Sequence, residues 1–113
     1  EAAIAALVAR GTRPPALRAA VGPHLLTCCF EVGDEVAQQF RARFGAGVVR
    51  TGAARPHVSL LASVRQILES AGVGQVEALE HCTSCDRRFF SHRRDRGQTG
   101  RHLAYVRCAF EGA

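Results

Sequence analysis

The sequence predicts an α/β domain, a layered α/β sandwich in which helices and strands alternate along the chain. Three observations favour this class. The 113 residues are close to the common size of one domain. Hydrophobic residues make up 47% of the chain and charged residues 22%, which is typical of a globular protein and not of a disordered one. Apolar residues repeat at helical spacing in some segments, and short apolar runs lie between them.

The first half of the chain is predicted to form two helices and one strand. Residues 2–10 carry apolar side chains on one helical face, and this helix starts without a capping residue, so we expect a piece of a larger unit. Residues 17–21 are a short apolar run typical of a buried strand. Asp34 is expected to cap a helix that ends at Phe44, and residues 45–55 are expected to form a loop.

The second half is predicted to form one helix and three strands. The helix follows Pro56, and its apolar stripe at spacings of three and four consists of Val58, Leu61, Val64, Leu68 and Ala71. Residues 73–79 are expected to form a strand after this helix. Shorter strands are expected at residues 89–92 and 103–110, with turns and loops between them.

The positive charge is concentrated in one segment. The net charge is +5, and all 15 basic residues are arginines. Residues 86–107 contain seven of these arginines and only two acidic residues, so this segment accounts for the whole excess. Because the rest of the chain is neutral, the pattern favours a local anion site over a generally basic surface. Arginine suits such a site, since its planar guanidinium binds phosphate or carboxylate through two hydrogen bonds.

Composition disfavours several classes of protein. No apolar run approaches the roughly 20 residues that cross a membrane, and the first ten residues show no signal peptide. Five cysteines are an odd number, and without a secretory signal they are expected to be reduced thiols of a cytoplasmic protein. Nucleic-acid binding is disfavoured because no second basic stretch would extend the contact along a phosphate backbone.

Two cysteine pairs are candidates for chemistry. Cys82 and Cys85 form a C-x-x-C pair that could share a zinc ion with other residues. The residues that could complete the ligand set are His92, His102 and Cys108. The alternative is two thiols near a turn, because a structural zinc site normally shows a second ligand pair at a defined spacing. Cys28 and Cys29 are expected to be buried small hydrophobic residues, and catalysis by either is the weaker hypothesis.

Residues 89–101, which we name the arginine loop, hold the largest group of candidates. The loop combines two phenylalanines with hydroxyl, glycine and arginine residues. The hydroxyls can donate hydrogen bonds to an oxyanion, the glycine lets backbone N–H groups come close, and Asp95 is expected to hold one guanidinium in place. The candidate anion-binding residues are Ser91, Arg93, Arg94, Thr99, Gly100 and Arg101. The alternative is a solvated basic loop without a ligand.

Two stretches of the sequence resemble the laccase-domain or YfiH-type family. Residues 82–101 contain Cys-Thr, then after five residues Phe-Phe-Ser-His-Arg-Arg-Asp, then after three residues Thr-Gly-Arg. This pattern is similar to the signature that closes the family. Gly-Pro at residues 22–23, followed by Phe-Glu-Val-Gly-Asp-Glu-Val at residues 30–36, resembles a second block. The helix after Pro56 lies between the two blocks in the expected order, so the resemblance covers nearly the whole chain.

The resemblance implies a purine nucleoside phosphorylase that acts on adenosine, inosine or guanosine with phosphate and has adenosine deaminase as a side activity. Residues 1–113 would then be the C-terminal portion of one such domain. The family's metal, zinc or copper, is expected on two histidines and one cysteine of an upstream part, so the resemblance assigns no metal ligand to these residues. Neither nucleic acid nor a membrane is an expected partner.

The resemblance also implies where the substrate binds. The six candidate residues of the arginine loop are expected to position phosphate or ribose, and Cys82, Thr83 and Cys28 are expected to line the site. Two other functions stay open. An older family label implies a copper-dependent polyphenol oxidoreductase, which would need oxygen where phosphorolysis needs phosphate. A non-catalytic module would use the arginines to bind an acidic partner, with strong salt dependence and no turnover.

Overall fold

The computed structural model describes residues 1–107 and confirms the predicted mixture of helices and sheet. The helices are α1 (Ala2–Ala9), α2 (Asp34–Phe44) and α3 (Leu60–Ser70). The strands are β1 (Arg18–Val21), β2 (Val49–Arg50), β3 (His57–Val58) and β4 (Gln75–Ala78). Short 3₁₀ turns, Pro14–Ala16 and Ala46–Val48, precede β1 and β2. Within residues 1–107, no helix combines the length and apolar character needed to cross a membrane.

The strands form two separate two-stranded sheets within the described part of the chain. β1 and β4 pair in parallel, with Arg18 opposite Gln75 and Val21 opposite Ala78. A parallel pair needs a long crossover, and here the crossover contains α2, β2, β3 and α3. β2 and β3 pair antiparallel. Because β1 and β4 run in the same direction, the segments that leave their C-terminal ends emerge side by side.

The core of the described residues is small and lies between α2 and the β2–β3 pair. Ala37 and Val58 are fully buried, and Val32 packs with them. Phe30 and Phe40 pack around this centre and meet edge to face, with ring centroids 6.4 Å apart. By contrast, α1 has no buried residue. The region around β3 therefore supplies most of the buried apolar packing.

Local sequence explains where two helices begin. Ser59 is the N-cap of α3, and its Oγ accepts a hydrogen bond from the N–H of Ala62 at 3.1 Å. The prediction that this helix includes Val58 is therefore wrong, because Val58 belongs to β3 and the helix starts after the cap. Gly33 is the N-cap of α2, so Asp34 is its first residue and not its cap. The carboxylate of Asp34 lies in the first turn of α2, where the positive end of the helix dipole stabilises a negative charge.

The remaining predictions of secondary structure have mixed outcomes. β1, β4 and α1 confirm the strands and the helix predicted at residues 17–21, 73–79 and 2–10. The loop predicted at residues 45–55 is wrong in part, because it contains a 3₁₀ turn and β2. The strand predicted at residues 89–92 is wrong, because this segment lies between turns and pairs with no strand within residues 1–107. Residues 103–107 form no strand, and the rest of the predicted strand at residues 103–110 lies outside the described residues.

Val58→Ala should destabilise the protein by about 2 kcal/mol, because it removes two methyl groups from a fully buried position and leaves a cavity. Urea denaturation of the two proteins measures the difference. Val106→Ala is the control, since Val106 is 95% exposed and its truncation should change the free energy of unfolding by less than about 0.5 kcal/mol. An equal loss in both variants would contradict the described core.

Candidate functional site

Two loops meet at the C-terminal ends of β1 and β4. The N–H of His24 donates to the carbonyl oxygen of His81 at 3.2 Å, and the N–H of Thr83 donates to the carbonyl oxygen of His24 at 3.0 Å. His24 and Cys82 thereby continue the parallel pairing beyond the two strands. These hydrogen bonds hold the loop after β1 against the loop after β4.

Four cysteine sulfurs lie together where the two loops meet. They belong to Cys28, Cys29, Cys82 and Cys85, and all lie within 4.8 Å of one another. Cys85 Sγ is 3.4 Å from Cys29 Sγ and 3.6 Å from Cys28 Sγ. All four thiols are free; Cys82 is buried, whereas Cys28 and Cys85 are exposed. This cysteine cluster could hold a metal ion.

The predicted partners of the C-x-x-C pair differ from the observed ones. Cys82 and Cys85 lie in one cluster, as a shared metal would require. His92 and His102 were named as residues that could complete the ligand set, but within residues 1–107 the cluster contains cysteines alone. Cys108, the third candidate, lies outside the described residues.

Cys28 and Cys29 supply the other two sulfurs of the cluster. The expectation that both are buried hydrophobic residues is wrong for Cys28, which is exposed. The position of the cysteines relative to the strands could have predicted the cluster. One cysteine pair follows β1 and the other follows β4, and the C-terminal ends of neighbouring parallel strands lie at the same sheet edge. Predicting those two strands as neighbours would have brought the pairs together.

Burial and hydrogen bonding shift the pKa values of these thiols in opposite directions. Burial raises the pKa of Cys82, but hydrogen bonds from backbone N–H groups outweigh this effect and lower the pKa from 9.0 to about 6. The donors are the N–H groups of Cys85, Leu26 and Ser84. Burial and hydrogen bonds from the other thiols raise the pKa of Cys28 to about 12. Cys82 therefore becomes a thiolate more readily than Cys28 does.

The guanidinium of Arg94 donates hydrogen bonds to backbone carbonyl oxygens of the loop after β4 and to a neighbouring carboxylate. Its side chain is 20% exposed, and Nε and Nη2 donate to the two carboxylate oxygens of Asp95 at 3.0 and 2.9 Å. This pair confirms that Asp95 holds one guanidinium in place. Hydrogen bonds from Arg94, and to a lesser extent from Thr99, lower the pKa of the Asp95 carboxyl. The carbonyl oxygens that accept from Arg94 belong to Thr83 at 3.0 Å, Ser84 at 3.3 Å, Asp86 at 3.3 Å and Phe89 at 2.9 Å.

Two other candidates of the arginine loop have visible structural contacts. Ser91 is buried, and its Oγ accepts a hydrogen bond from the N–H of Arg94 at 3.1 Å. Gly100 lies under the ring of Phe90, where a Cβ atom would be 2.9 Å from Phe90 Cζ. In this structure the glycine permits the close approach of an aromatic ring.

A cleft of about 380 Å³ opens beside the arginine loop. Its walls include His24, Thr83, Phe90, Ser91, Arg93 and His102. Phe90 is 51% exposed, and its ring centroid lies 5.3 Å from that of His102. The cleft thus combines aromatic and imidazole rings with one guanidinium. Such a combination suits a flat heteroaromatic group bound beside an anion.

Arg93 is the arginine of this loop that faces the cleft. Its Cζ lies 5.3 Å from the centroid of the Phe30 ring, and its Nη1 donates to the carbonyl oxygen of Glu31. The residue is otherwise exposed. Because a guanidinium has five N–H donors, these two contacts orient the group and leave donors for a ligand.

Hydrogen bonds assign the role of one ring nitrogen in each of two histidines at the cleft. His24 Nδ1 donates to the carbonyl oxygen of Gly22 at 2.9 Å, which leaves Nε2 as an acceptor when the ring carries a single proton. This Nε2 is buried and has no hydrogen-bond partner among the described residues. His102 Nε2 accepts from the N–H of Phe90 at 3.1 Å, so its Nδ1 carries the proton. His24, which lines the cleft, therefore carries an unsatisfied acceptor, Nε2, for which a donor would be favourable.

The structure brings together only part of the predicted site. Ser91, Arg93 and Thr83 line the cleft. Cys28 lines a second cavity, of about 260 Å³, and Cys82 is buried in the cysteine cluster. The predicted residues that do not line the cleft are Arg94, Thr99, Gly100 and Arg101. His24 was not predicted, because no periodic pattern or motif singles it out, and His102 was predicted only as a possible metal ligand.

Comparison with known proteins decides the family. A family model described as multi-copper polyphenol oxidoreductase laccase matches residues 1–109. The chain belongs to this family. Among the relatives of this laccase-family chain, a purine nucleoside phosphorylase from Deinococcus radiodurans is 42% identical over 100 residues. An adenosine deaminase, RL5, from an unknown prokaryotic organism is 38% identical over 101 residues. The resemblance predicted from the two sequence blocks is confirmed.

The laccase-family chain corresponds to only part of these relatives. The alignments cover 88% and 83% of the chain but 39% and 38% of the two relatives. The crystal structure of the hypothetical protein YfiH from Bacillus licheniformis superimposes with a TM-score of 0.73 at 34% identity, over 88% of this chain and 40% of that one. The chain thus spans about two fifths of the length of its relatives and has the fold of the matching part.

Arg94→Ala should lower the thermal unfolding midpoint by several degrees, because it leaves the carbonyl oxygens of the loop after β4 without their shared donor. Differential scanning calorimetry measures the shift. Arg88→Ala is the matched control, since Arg88 is exposed and its guanidinium hydrogen-bonds only Asp86 within the described residues. Equal midpoints for the two variants would refute the anchoring role of Arg94.

Proposed function

We propose that this laccase-family chain contributes the C-terminal portion, residues 1–113, of a purine nucleoside phosphorylase domain. The substrates are a purine nucleoside, such as adenosine, inosine or guanosine, and phosphate. Adenosine deamination is a further activity of the same protein. The proposal is supported by a relative of that name at 42% identity and by a cleft that sets one guanidinium beside aromatic and imidazole rings.

Phosphorolysis needs a group that holds phosphate in line with the bond between the sugar C1′ and the purine nitrogen. A C1′–O bond to phosphate forms while the C1′–N bond breaks, and the sugar is cationic between two anions in the transition state. Arg93 is proposed to hold the phosphate. Its guanidinium is oriented by Phe30 and Glu31 and is exposed at the cleft, which supports this role. Ser91 lines the same cleft and is proposed to contact phosphate or ribose.

The purine is proposed to lie against Phe90 and His102. The half-exposed ring of Phe90 offers a face for stacking, and its contact with His102 holds it in place. His24 Nε2 is proposed to accept a hydrogen bond from an N–H of the base or an O–H of the ribose. Its burial without a partner supports this role, because an unpaired buried acceptor costs stability until a donor reaches it.

The other residues of the predicted site receive different proposals. Arg94 is proposed to be a positioning residue that holds the loop after β4, since its donors are engaged by backbone oxygens and Asp95. The roles of Thr99, Gly100 and Arg101 in phosphate or ribose positioning stay predictions. Arg101 is exposed, so its guanidinium is accessible to a ligand.

The zinc or copper ion implied by the family resemblance is expected on two histidines and one cysteine of an upstream part, and not on the residues of this chain. The metal-ligating group within residues 1–107 consists of four cysteines, which is a different ligand set. Activation of the leaving base, or of water in deamination, is assigned to no residue of this chain.

The setting of the reaction follows from the same reasoning. We propose a cytoplasmic protein whose partners are the nucleoside and phosphate, with neither nucleic acid nor a membrane involved. Free thiols in the described part of the chain and the absence of a second basic stretch in the sequence support this setting.

Anaerobic turnover of inosine by the full-length protein tests the proposed function. With phosphate present, the expected products are hypoxanthine and ribose 1-phosphate, and leaving out phosphate should stop their formation. Oxidation of a phenol that depends on oxygen and copper, without phosphorolysis, would instead favour the oxidoreductase. Salt-sensitive binding of an acidic partner without any turnover would favour the non-catalytic module. Either result would overturn the proposal.

A further inference from the structure

We propose that Cys28, Cys29, Cys82 and Cys85 bind one zinc ion through four thiolates, as a structural site that ties together the loops after β1 and β4. The site is separate from the cleft, and the proposal does not rest on the proposed function. It also differs in ligand set from the two-histidine, one-cysteine metal site implied by the family resemblance.

The spacing of the sulfurs fits a tetrahedral zinc site. Zinc–sulfur bonds of about 2.3 Å place the four sulfurs of a regular tetrahedron about 3.8 Å apart. Cys85 Sγ is 3.4 Å from one sulfur and 3.6 Å from another, and no pair in the cluster exceeds 4.8 Å. Small shifts of the side chains therefore bring all four sulfurs into ligand positions around one ion, without movement of the strands.

The four sulfur ligands favour zinc over other metal ions. Four sulfurs without a carboxylate or imidazole favour a soft or borderline cation with tetrahedral geometry, and zinc is the common choice. Four protein ligands leave no open position, which is typical of a structural site and not of a catalytic one.

The position of the cluster in the fold explains what the metal would stabilise. The loops after β1 and β4 are joined near it by the backbone hydrogen bonds of His24. Each loop contributes two of the four ligands. A metal that links the two loops cross-links residues that are far apart in the sequence, Cys29 and Cys82. Such a cross-link lowers the conformational entropy of the unfolded chain and so stabilises the folded one.

A disulfide arrangement is the competing interpretation of the same cluster. Cys85 lies close to both Cys28 and Cys29, so it could form a disulfide with either. Cys28 and Cys29 are adjacent in sequence, and bridging adjacent cysteines strains the disulfide geometry. Pairing Cys85 with one of them would leave Cys82 to pair with the other. All four thiols are free in the structure, and a single metal uses all four at once.

Metal analysis of the full-length protein, purified without chelators, tests the proposal. Cys82→Ser and Cys85→Ser should each contain one zinc per chain less than the unmodified protein. Cys108→Ser is the matched control, because it removes the fifth cysteine and should keep the zinc. Equal zinc content in the unmodified protein and the two cluster variants would overturn the proposal. A loss of zinc in the control as large as in the cluster variants would overturn the four-ligand set.

Two further measurements use the unmodified protein, so their outcome does not depend on whether the cysteine variants fold. Replacement of zinc by Co²⁺ should produce the intense thiolate-to-cobalt charge-transfer bands of a tetrahedral sulfur site. Thiol titration after denaturation, with a chelator present and no reductant, should find every cysteine of the protein free, including the four of the cluster. The absence of charge-transfer bands, or a disulfide that consumes two of the cluster cysteines, would contradict the proposal. None of these measurements uses turnover, so failure here is distinct from failure of the proposed function.

Discussion

Arg93→Ala in the full-length protein should reduce kcat/KM for phosphorolysis of inosine by roughly 10- to 150-fold. A charge-assisted hydrogen bond contributes on the order of 1.5–3 kcal/mol, and each 1.4 kcal/mol or so corresponds to a factor of ten in rate. Arg93 is the guanidinium that lines the cleft, and its contacts with Phe30 and Glu31 hold it in one orientation. Its loss removes a positive charge where phosphate is proposed to bind. Steady-state kinetics with phosphate as the varied substrate measure the effect.

Arg87→Ala is the control for this prediction. Arg87 belongs to the same basic segment and is exposed, but it does not line the cleft. The substitution removes the same charge, so it corrects for long-range attraction of phosphate, which salt screens. We expect its kcat/KM to stay within about threefold of the unmodified protein. If Arg93→Ala also stays within about twofold, phosphate is not held by this arginine.

Removal of zinc from the cysteine cluster should lower the free energy of unfolding by about 4 kcal/mol. The reference is the same protein at a free zinc concentration about 1,000-fold above the dissociation constant. The metal binds the folded cluster and not the separated loops of the unfolded chain. The free energy of zinc binding therefore adds to the free energy of unfolding. Guanidinium denaturation with zinc, and again after chelation, measures the difference.

The same chelation applied to Cys82→Ser controls for any metal bound elsewhere in the full-length protein. This variant lacks one of the four ligands, so chelation should change its stability much less than that of the unmodified protein. An equal loss of stability in both proteins would assign the effect to another metal. No loss in either would mean that zinc does not support the fold.

Part of the fold follows from local sequence. The apolar run at residues 17–21 and the helix ended by Gly45 depend on side chains that are neighbours in the sequence, so pattern and capping rules find them. β2 and β3 have two residues each, which is too short for an alternating pattern to appear. Val58 fits a helical stripe equally well, and only the Ser59 cap assigns it to the strand.

The candidate site depends on contacts that are distant in the sequence. An arginine in a basic loop predicts an anion site, but the sequence does not distinguish Arg93, which lines the cleft, from Arg94, which binds backbone oxygens. That difference is set by where the turn after Cys82 places its carbonyl groups. The cysteine cluster likewise depends on the pairing of β1 with β4. Both features become predictable only once that parallel pair is known.

The place where inosine and phosphate bind is the most direct measure of the proposed function. A crystal structure of the full-length protein with both ligands should show phosphate within hydrogen-bond distance of the Arg93 guanidinium. The purine should lie on the ring of Phe90, with a donor facing His24 Nε2. Ligands bound at another site while this cleft stays filled with water would contradict the assignment.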